Sequence, residues 1–367
     1  MALPLSRSIE THLVAWRELD WPIAWSEVFG REAELVLEIG FGNGQFLFEQ
    51  ATAHPERDYV GIELSWSGAR RLFKRVGADV RNVRALLIDA EVALERLFEP
   101  DSLAEVFVNH PCPWPKARHH RRRLLDTEGL LLLADRMREG AQLTVATDHV
   151  EYAEWVSEML QTQDALASKH PTIEIDHVPG RSPTKYERKA LAQGIPIHYF
   201  EWEKVRRAGE AAPAARARHE PSPRDPMPSL TLRDAPREPL AGFATTTLRE
   251  RHGDVEIVVK LNNVYRAEPQ GRDGESPTWL VEAMAREDGL RQDFGIVVVE
   301  RKPGEVLVKL SDLGRPHPTH GVRRTVFAVA AWILERHKDA KVAHENLGPD
   351  AMVPFAAGSE PAEPASS

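Results

Sequence analysis

The chain has 367 residues, a single cysteine and a formal net charge of −9 at pH 7. This length accommodates one large α/β domain and a second, smaller one. The sequence contains no run of eighteen apolar residues and no basic-then-apolar leader. A single cysteine excludes an intrachain disulfide. These features predict a cytoplasmic protein without a membrane span. The negative net charge argues against indiscriminate nucleic-acid binding, although a local basic stripe can still dock a phosphate backbone.

The first 205 residues alternate between short apolar runs and segments with helical spacing. Such alternation predicts strands joined by helices, and therefore a doubly wound, Rossmann-like parallel sheet. The predicted strands are LVLEI (35–39), YVGIE (59–63), NVRALLIDA (82–90), LAEVFVNH (103–110), QLTVATD (142–148), TIEIDHV (172–178) and IHYFEWEKV (197–205). We expect RSPTKYERKALAQG, between the last two, to form a loop.

Composition divides the rest of the chain into three parts. Proline, alanine and charge without apolar periodicity predict a flexible linker over 208–240. Strand-like segments and the helical pattern VRRTVFAVAAWILERH predict a small α+β domain over 241–345. The final residues, 346–367, have the composition of a disordered tail.

A glycine run follows the first predicted strand and indicates a ligand site. Glu38 precedes Gly40, Gly42 and Gly44, in a GxGxG spacing that differs from the GxGxxG of dinucleotide-binding proteins. Glycines let the backbone turn tightly and approach a ligand closely. Glu63 and Asp89 end the next two strands, where carboxylates can reach ribose hydroxyls and an adenine amino group.

This arrangement predicts a class I fold that binds S-adenosylmethionine. The sulfonium cofactor has no pyrophosphate to seat on a helix N-terminus, and an acidic residue suits its positively charged methionine end. In the alternative interpretation, the glycines only make a turn and Glu63 is a solvated strand end. The predicted cofactor-binding residues are Glu38, Gly40, Gly42, Gly44, Glu63 and Asp89.

Two basic segments stand out against the acidic total. Residues 118–123 read Arg-His-His-Arg-Arg-Arg, and a predicted helix carries Arg70, Arg71, Lys74 and Arg75. A solvated helix face is the usual explanation of such charge, but the position of 118–123 beside the predicted site favours RNA contact.

Trp66 and Phe73, at helical spacing, are expected in the core. The histidines lack metal-ligand spacing, so no metal is predicted.

Residues 109–123, NHPCPWPKARHHRRR, closely resemble a motif of the bacterial tRNA (guanine-N7)-methyltransferases. That family typically has an aspartate-proline-tryptophan-proline-lysine core followed by arginine, histidine and two basic residues. Further segments resemble its motifs in the same order, namely LEIGFGNGQFL, YVGIELSWSGA, NVRALLIDA, VATDHVEYAEW and SPTKYERKALAQGIPIHYFEW. The resemblance covers roughly residues 20 to 205 and leaves the linker and C-terminal domain outside it.

The resemblance implies methyl transfer from S-adenosylmethionine to N7 of a guanine in the tRNA variable loop. Asp148 and Glu187 match the carboxylates that hold the base, and tRNA is the implied partner. The other implied substrate-binding residues are Lys116, Arg118 and Arg121 for phosphates, Trp114 for the base pocket, and Thr184, Lys185 and Tyr186 from the late block. A monomer and a homodimer are both compatible with the sequence.

Cys112 stands where the family carries the aspartate of its motif. A thiol accepts hydrogen bonds poorly and is mostly neutral near pH 7, so turnover is expected to be reduced or the substrate altered. Three interpretations of Cys112 stay open: a small buried loop residue, a substrate-facing residue, and the covalent nucleophile of an RNA cytosine C5-methyltransferase. A further interpretation of the whole chain is a tRNA-binding protein with reduced activity. For Asp148, the alternative to base binding is a helix cap.

Overall fold

The computed structural model describes residues 4–76, 80–181, 183–206, 222, 226–253, 255–267 and 278–355. The chain divides into two compact units, Met1–Trp16 with Trp21–His219 and Arg17–Asp20 with Glu220–Ser367. Within the described ranges, no helix combines the length and apolar character that crossing a membrane requires.

The first unit contains a seven-stranded sheet. Its strands, in chain order, are β1 Leu35–Ile39, β2 Asp58–Glu63, β3 Val83–Leu87, β4 Leu103–Asn109, β5 Met137–Thr147, β6 Leu166–Ser168 and β7 His198–Lys204. The spatial order is β3-β2-β1-β4-β5-β7-β6. The first five strands are parallel, and β7 runs antiparallel to β5 and β6. This order reverses between β1 and β4, where open α/β sheets place their ligands.

Helices connect these strands and cover the sheet. They are α1 Leu5–His12, α2 Trp25–Phe29, α3 Gln45–Ala53, α4 Trp66–Arg75, α5 Ala90–Leu97, α6 Thr127–Arg136, α7 Val150–Gln161 and α8 Lys185–Ala192. All five residues of the central strand β1 are buried, as expected for a parallel strand covered on both faces. The predicted doubly wound Rossmann-like fold is therefore confirmed, with one antiparallel strand near its edge.

Two local predictions in this unit are wrong. Residues 172–178 form no named strand, and only an isolated bridge joins Ile175 to Tyr199; the edge strand is β6 instead. The expected loop RSPTKYERKALAQG contains α8, which begins with a capping box in which Thr184 and Glu187 bond each other's backbone N–H. The capping pattern, Thr-x-x-Glu, was present in the sequence and predicts this helix start.

The second unit is an antiparallel sheet with one long helix. Its strands are β8 Ser229–Arg233, β9 Thr246–His252, β10 Val255–Ala267, β11 Thr278–Glu287, β12 Leu290–Lys302, β13 Glu305–Leu310 and β14 Lys341–Glu345, in the order β14-β8-β13-β12-β11-β10-β9. The helix α9, His320–Arg336, buries Val322, Val326 and Val329 in the core of this unit. The predicted α+β class of the C-terminal domain is confirmed.

The structure places the boundaries of the second unit differently from the sequence. Strand β8 lies inside the predicted linker 208–240 and pairs with β13 and β14, so its part of that stretch is a sheet strand. A 3₁₀ turn, Pro349–Met352, lies inside the predicted tail 346–367. Residues 208–221, 223–225 and 356–367, which also belong to these two predictions, lie outside the described residues.

Replacing Gly44 with alanine is expected to destabilise the protein by about 3 kcal/mol or more. Gly44 has φ +65° at the start of α3, and a Cβ there would lie 2.6 Å from Leu72 Cβ. Gly140 is the matched control, because it has φ +76° but nothing within 4 Å of its Cβ position. Gly140→Ala should therefore cost only the backbone strain, about 1 kcal/mol. Urea unfolding measures both, and equal losses would contradict the role given to the Leu72 contact.

Candidate active site

The loop between β1 and α3 exposes its backbone to the carboxyl edge of the sheet. Gly40, Gly42 and Gly44 all have positive φ, between 55° and 73°. A Cβ at Gly40 would meet nothing within 4 Å, so this backbone faces open space. The main chain at Gly40 is therefore accessible to a ligand.

Two adjoining cavities lie along this edge, one of about 370 Å³ and one of about 480 Å³. Among the residues that line the first cavity are Glu38, Gly40, Gly42, Cys112, Asp148, Thr184, Lys185 and Tyr186. The second is lined by Gly40, Glu63, Asp89, Cys112, Trp114 and Tyr152, among others. Gly40 and Cys112 belong to both linings, so the two cavities meet at these residues.

Backbone N–H groups fix the carboxylates of Glu63 and Asp89 in the second cavity. Glu63 Oε2 accepts from Gly42 N at 2.8 Å, and its Oε1 accepts from Leu64 N and Ser65 N at 2.9 and 2.8 Å. Asp89 is the N-cap of α5, with Oδ1 accepting from Glu91 N at 3.0 Å. Glu63 is thus held by the glycine loop itself, and Asp89 caps a helix while lining the cavity.

Glu38 is buried at the floor of the first cavity. Its Oε1 accepts from Asn109 Nδ2 at 3.0 Å, whereas its Oε2 has no hydrogen-bond partner among the described residues. Burial raises the pKa of Glu38 to about 7, against the opposing effects of the Asn109 hydrogen bond and the Arg181 charge. A buried carboxylate with a free oxygen favours a cationic group in this cavity.

Arg181 connects Glu38, through Asn109, to Glu187 of α8. Its Nη2 donates to Asn109 Oδ1 at 2.6 Å and to Glu187 Oε1 at 2.7 Å. The guanidinium lies 4.7 Å from the centre of the Phe46 ring, and the side chain is 5% exposed. Glu38, Asn109, Arg181 and Glu187 therefore form one continuous buried polar chain.

His110 lies between the two carboxylates that the sequence assigns to base binding. Its Nδ1 is 3.3 Å from Asp148 Oδ1, and its Nε2 is 3.8 Å from Glu187 Oε1. Burial tends to raise the pKa of Glu187, but the His110 ring and the Arg181 charge outweigh burial and hold that pKa below its ordinary value. Glu187 is thus held as a carboxylate, and Asp148 stands beside it with 43% of its side chain exposed.

The helix-cap interpretation of Asp148 is wrong. The N-cap of α7 is His149, whose side chain accepts from Tyr152 N at 3.3 Å. Asp148 instead lines the first cavity with Thr184, Lys185 and Tyr186. Its carboxylate is therefore available to a ligand.

The segment between β4 and α6 positions the residues of the family-like motif. Cys112 is exposed, so the buried-loop interpretation of this residue is wrong. Trp114 lines the second cavity, beside Glu63 and Asp89, and not the first cavity of Asp148. His110 and Trp114 both adopt left-handed backbone conformations, with φ of 49° and 44°. Non-glycine residues rarely do so, and such strain clusters at functional sites.

The basic residues of this segment have different surroundings. Lys116 and Arg118 are exposed, and Lys116 precedes the 3₁₀ turn Ala117–Arg122 that forms where a helix start was expected. Arg122 lies 4.9 Å over the Trp114 ring, and Arg123 Nε donates to Pro113 O at 3.0 Å. The backbone of Arg121 lies in the turn, and its side chain lies outside the described residues.

Sequence reasoning missed several residues of this site. Asn109 ends β4 and His110 follows it; both are the first residues of the segment 109–123, and their place at the strand end was the available signal. Tyr152, buried with its hydroxyl lacking a partner among the described residues, lines the second cavity one turn beyond Asp148. Arg181 had no such signal, because only the fold brings it to Asn109 and Glu187. Across the described ranges, no cluster of three metal-ligating side chains occurs.

The sheet order, the glycine loop and the acidic residues at successive strand ends define a class I methyltransferase. A family model described as "Putative methyltransferase" matches residues 32–200. The chain belongs to the family of tRNA (guanine-N(7)-)-methyltransferases.

Three relatives carry that name. The protein of Alkalilimnicola ehrlichii is 36% identical over 51% of this chain and 80% of its own length. That of Rhodococcus jostii is 40% identical over 53% of this chain and 73% of its own length. The protein of Thermotoga maritima is 40% identical over 47% of this chain, and the match spans 55% of that relative.

Proposed function

We propose that this protein transfers a methyl group from S-adenosylmethionine to N7 of a guanine in the variable loop of tRNA. The observation that carries this proposal is the carboxylate of Asp148, which lines one cavity with the glycine loop and is joined through His110 to the buried carboxylate of Glu187. The names of the relatives supply the tRNA guanine as substrate.

The residues of the two cavities fit the cofactor. Glu38 offers a buried oxygen without a described partner, which suits the ammonium of the methionine end, and the open backbone of Gly40 and Gly42 allows close approach. In the second cavity Glu63 would accept the ribose hydroxyls, and Asp89 would accept from the adenine amino group. When bound, S-adenosylmethionine supplies an electrophilic methyl group on a sulfonium.

The chemistry places few demands on the remaining residues. Guanine N7 carries a lone pair and no proton, so no general base has to act before attack. The protein must hold the base in line and offset the positive charge that develops on the purine. Asp148, which lines the first cavity, would accept from guanine N1–H and the N2 amino group, and Glu187, which is buried behind that lining, would hold His110 and Arg181 in place. Exposed Lys116 and Arg118 would contact phosphates.

The comparisons favour neither alternative interpretation of Cys112. The relatives are named for guanine-N7 methylation, and not for cytosine C5 methylation or for binding alone. Glu38, Glu63, Asp89 and Asp148 also line the two cavities, and buried Glu187 is linked to this set through Arg181 and His110, which supports an active enzyme.

Nucleoside analysis by mass spectrometry tests the proposal. Unmodified tRNA transcript incubated with the protein and S-adenosylmethionine should yield 7-methylguanosine. A transcript whose variable-loop guanine is replaced by adenine is the matched control and should yield none. Formation of 5-methylcytidine, or no methylated nucleoside at all, would overturn the proposed function.

Cofactor affinity is expected to increase as the pH rises from 6 to 8. Because the pKa of Glu38 is raised from an ordinary 4.5 to about 7, this carboxyl is largely protonated in the free protein below pH 7. A cationic ligand favours the carboxylate, so binding at pH 6 should release a proton. Calorimetry in buffers of different ionisation enthalpy measures this release. Glu38→Gln should bind more weakly and without that release, and a wild-type protein that releases no proton would contradict the role of Glu38.

The same shift predicts how stability depends on pH in the absence of cofactor. The folded state binds the Glu38 proton more tightly than the unfolded chain does, so this group's contribution to the free energy of unfolding is highest below about pH 4.5. The contribution falls as the pH rises towards 7. Bound cofactor should oppose the loss.

A further inference from the structure

The outer face of α4 carries an exposed aromatic residue followed by cations. Trp66 is 48% exposed, contrary to the expectation that it lies in the core, whereas Phe73 is buried as expected. Trp66, Arg70 and Lys74 follow one another at four-residue spacing and so lie along one stripe of the helix. Arg71 and Arg75 lie on the adjacent stripe, and the helix contains no acidic residue.

The opposite face of α4 is anchored to the fold. Gly68, Ala69, Leu72 and Phe73 are buried, and a Cβ at Gly68 would lie 2.5 Å from Gly42 O. The first turn of α4 therefore packs directly on the glycine loop. Leu64, 72% exposed, lies just before α4 and lines the second cavity. The exposed stripe thus begins at the rim of the candidate active site.

The charges of this stripe are not neutralised by neighbouring side chains. Arg70 and Lys74 have no ion pair with any residue in the described ranges, and both are exposed. By contrast, exposed Arg31 is paired with Asp58, and exposed Arg206 with Asp164. Unpaired cations on a protein of net charge −9 mark a surface suited to a polyanion.

We propose that the tRNA strand next to the methylated guanine lies along this stripe, with one unpaired base stacked on Trp66 and successive phosphates on Arg70 and Lys74. The inference rests on the proposed function. One helical turn separates the cations by about 6 Å along the axis, a spacing that suits consecutive phosphates of a single strand. RNA that presents a base for modification is unstacked, and such bases stack on aromatic side chains.

Equilibrium binding of unmodified tRNA to the full chain tests this surface. Trp66→Leu should weaken binding roughly fivefold or more, and Trp66→Phe should retain most of the affinity because it keeps an aromatic face. Arg70→Gln and Lys74→Gln should each weaken binding about threefold or more and reduce the slope of log affinity against log salt by about 0.7. The Kd for S-adenosylmethionine and kcat at saturating tRNA should stay unchanged.

Arg81→Gln is the matched control. Arg81 is an exposed arginine that precedes β3 and so lies at the amino edge of the sheet, opposite the cavities. Its replacement should change neither affinity nor salt slope. If the stripe variants behave like Arg81→Gln while the wild-type protein forms 7-methylguanosine, the surface is wrong and the proposed function stands. If the wild-type protein neither binds nor methylates tRNA, the proposed function itself is wrong, and the proposed surface is wrong with it.

Discussion

Replacing Glu187 with glutamine is expected to lower kcat/KM for tRNA at least 100-fold, which corresponds to about 2.7 kcal/mol of transition-state stabilisation. Glu187 is fully buried, and it accepts from Arg181 Nη2 and from Thr184 N. An amide keeps the shape and one acceptor oxygen, so the cap of α8 is preserved. It removes a buried negative charge that is joined through His110 to Asp148 and would stabilise the developing purine cation from behind the cavity lining. Steady-state kinetics with unmodified tRNA measure the loss.

Arg181 provides the control for this experiment. Loss of the Glu187 charge leaves the Arg181 guanidinium buried without a counter-ion at that oxygen, which is itself destabilising. The double variant Glu187→Gln with Arg181→Gln removes both charges together. If the Glu187 charge acts on the base site, the double variant should regain stability in urea unfolding but stay inactive. Recovery of activity in the double variant would show that Glu187 acts only by balancing Arg181.

Elements with a complete local signal were predicted from sequence. The apolar run LVLEI and the glycines after it specify a buried strand and a tight loop, and β1 lies at Leu35–Ile39 as predicted. The short edge strand β6 was missed, because Leu166–Ser168 is formed by pairing with β7 rather than by its own pattern. Likewise β8 lies in a proline-rich stretch and depends on partners more than seventy residues away along the chain.

The candidate site likewise combines features that the sequence shows with features that only the tertiary structure shows. Acidic residues at strand ends are visible in sequence, because parallel strands bring their carboxyl ends to one edge. What the sequence cannot show is how these groups affect one another. The raised pKa of Glu38 depends on burial, and the lowered pKa of Glu187 depends on His110 and Arg181. Arg181 lies in the connection between β6 and β7, 72 residues from Asn109 along the chain, so only the tertiary structure reveals that contact.

Cys112, the departure from the family motif, lies where the two cavities meet. The residue is exposed and lines both cavities, so its side chain would face the sulfonium end of the cofactor and the incoming base together. Methyl transfer moves one positive charge from the cofactor to the purine across this position. A carboxylate here would stabilise that charge throughout the transfer, whereas a neutral thiol contributes little.

Cys112→Asp is therefore expected to raise the rate of methyl transfer about tenfold, equivalent to about 1.4 kcal/mol, with tRNA affinity little changed. Cys112→Ser should stay within about threefold of the wild-type rate, because a hydroxyl replaces one neutral group by another. Single-turnover assays that quantify 7-methylguanosine measure both rates without interference from product release. An inactive serine variant, together with a covalent adduct between the wild-type protein and RNA containing 5-fluorocytidine, would instead establish Cys112 as a nucleophile. An aspartate variant no faster than the wild type would show that charge at this position does not limit transfer.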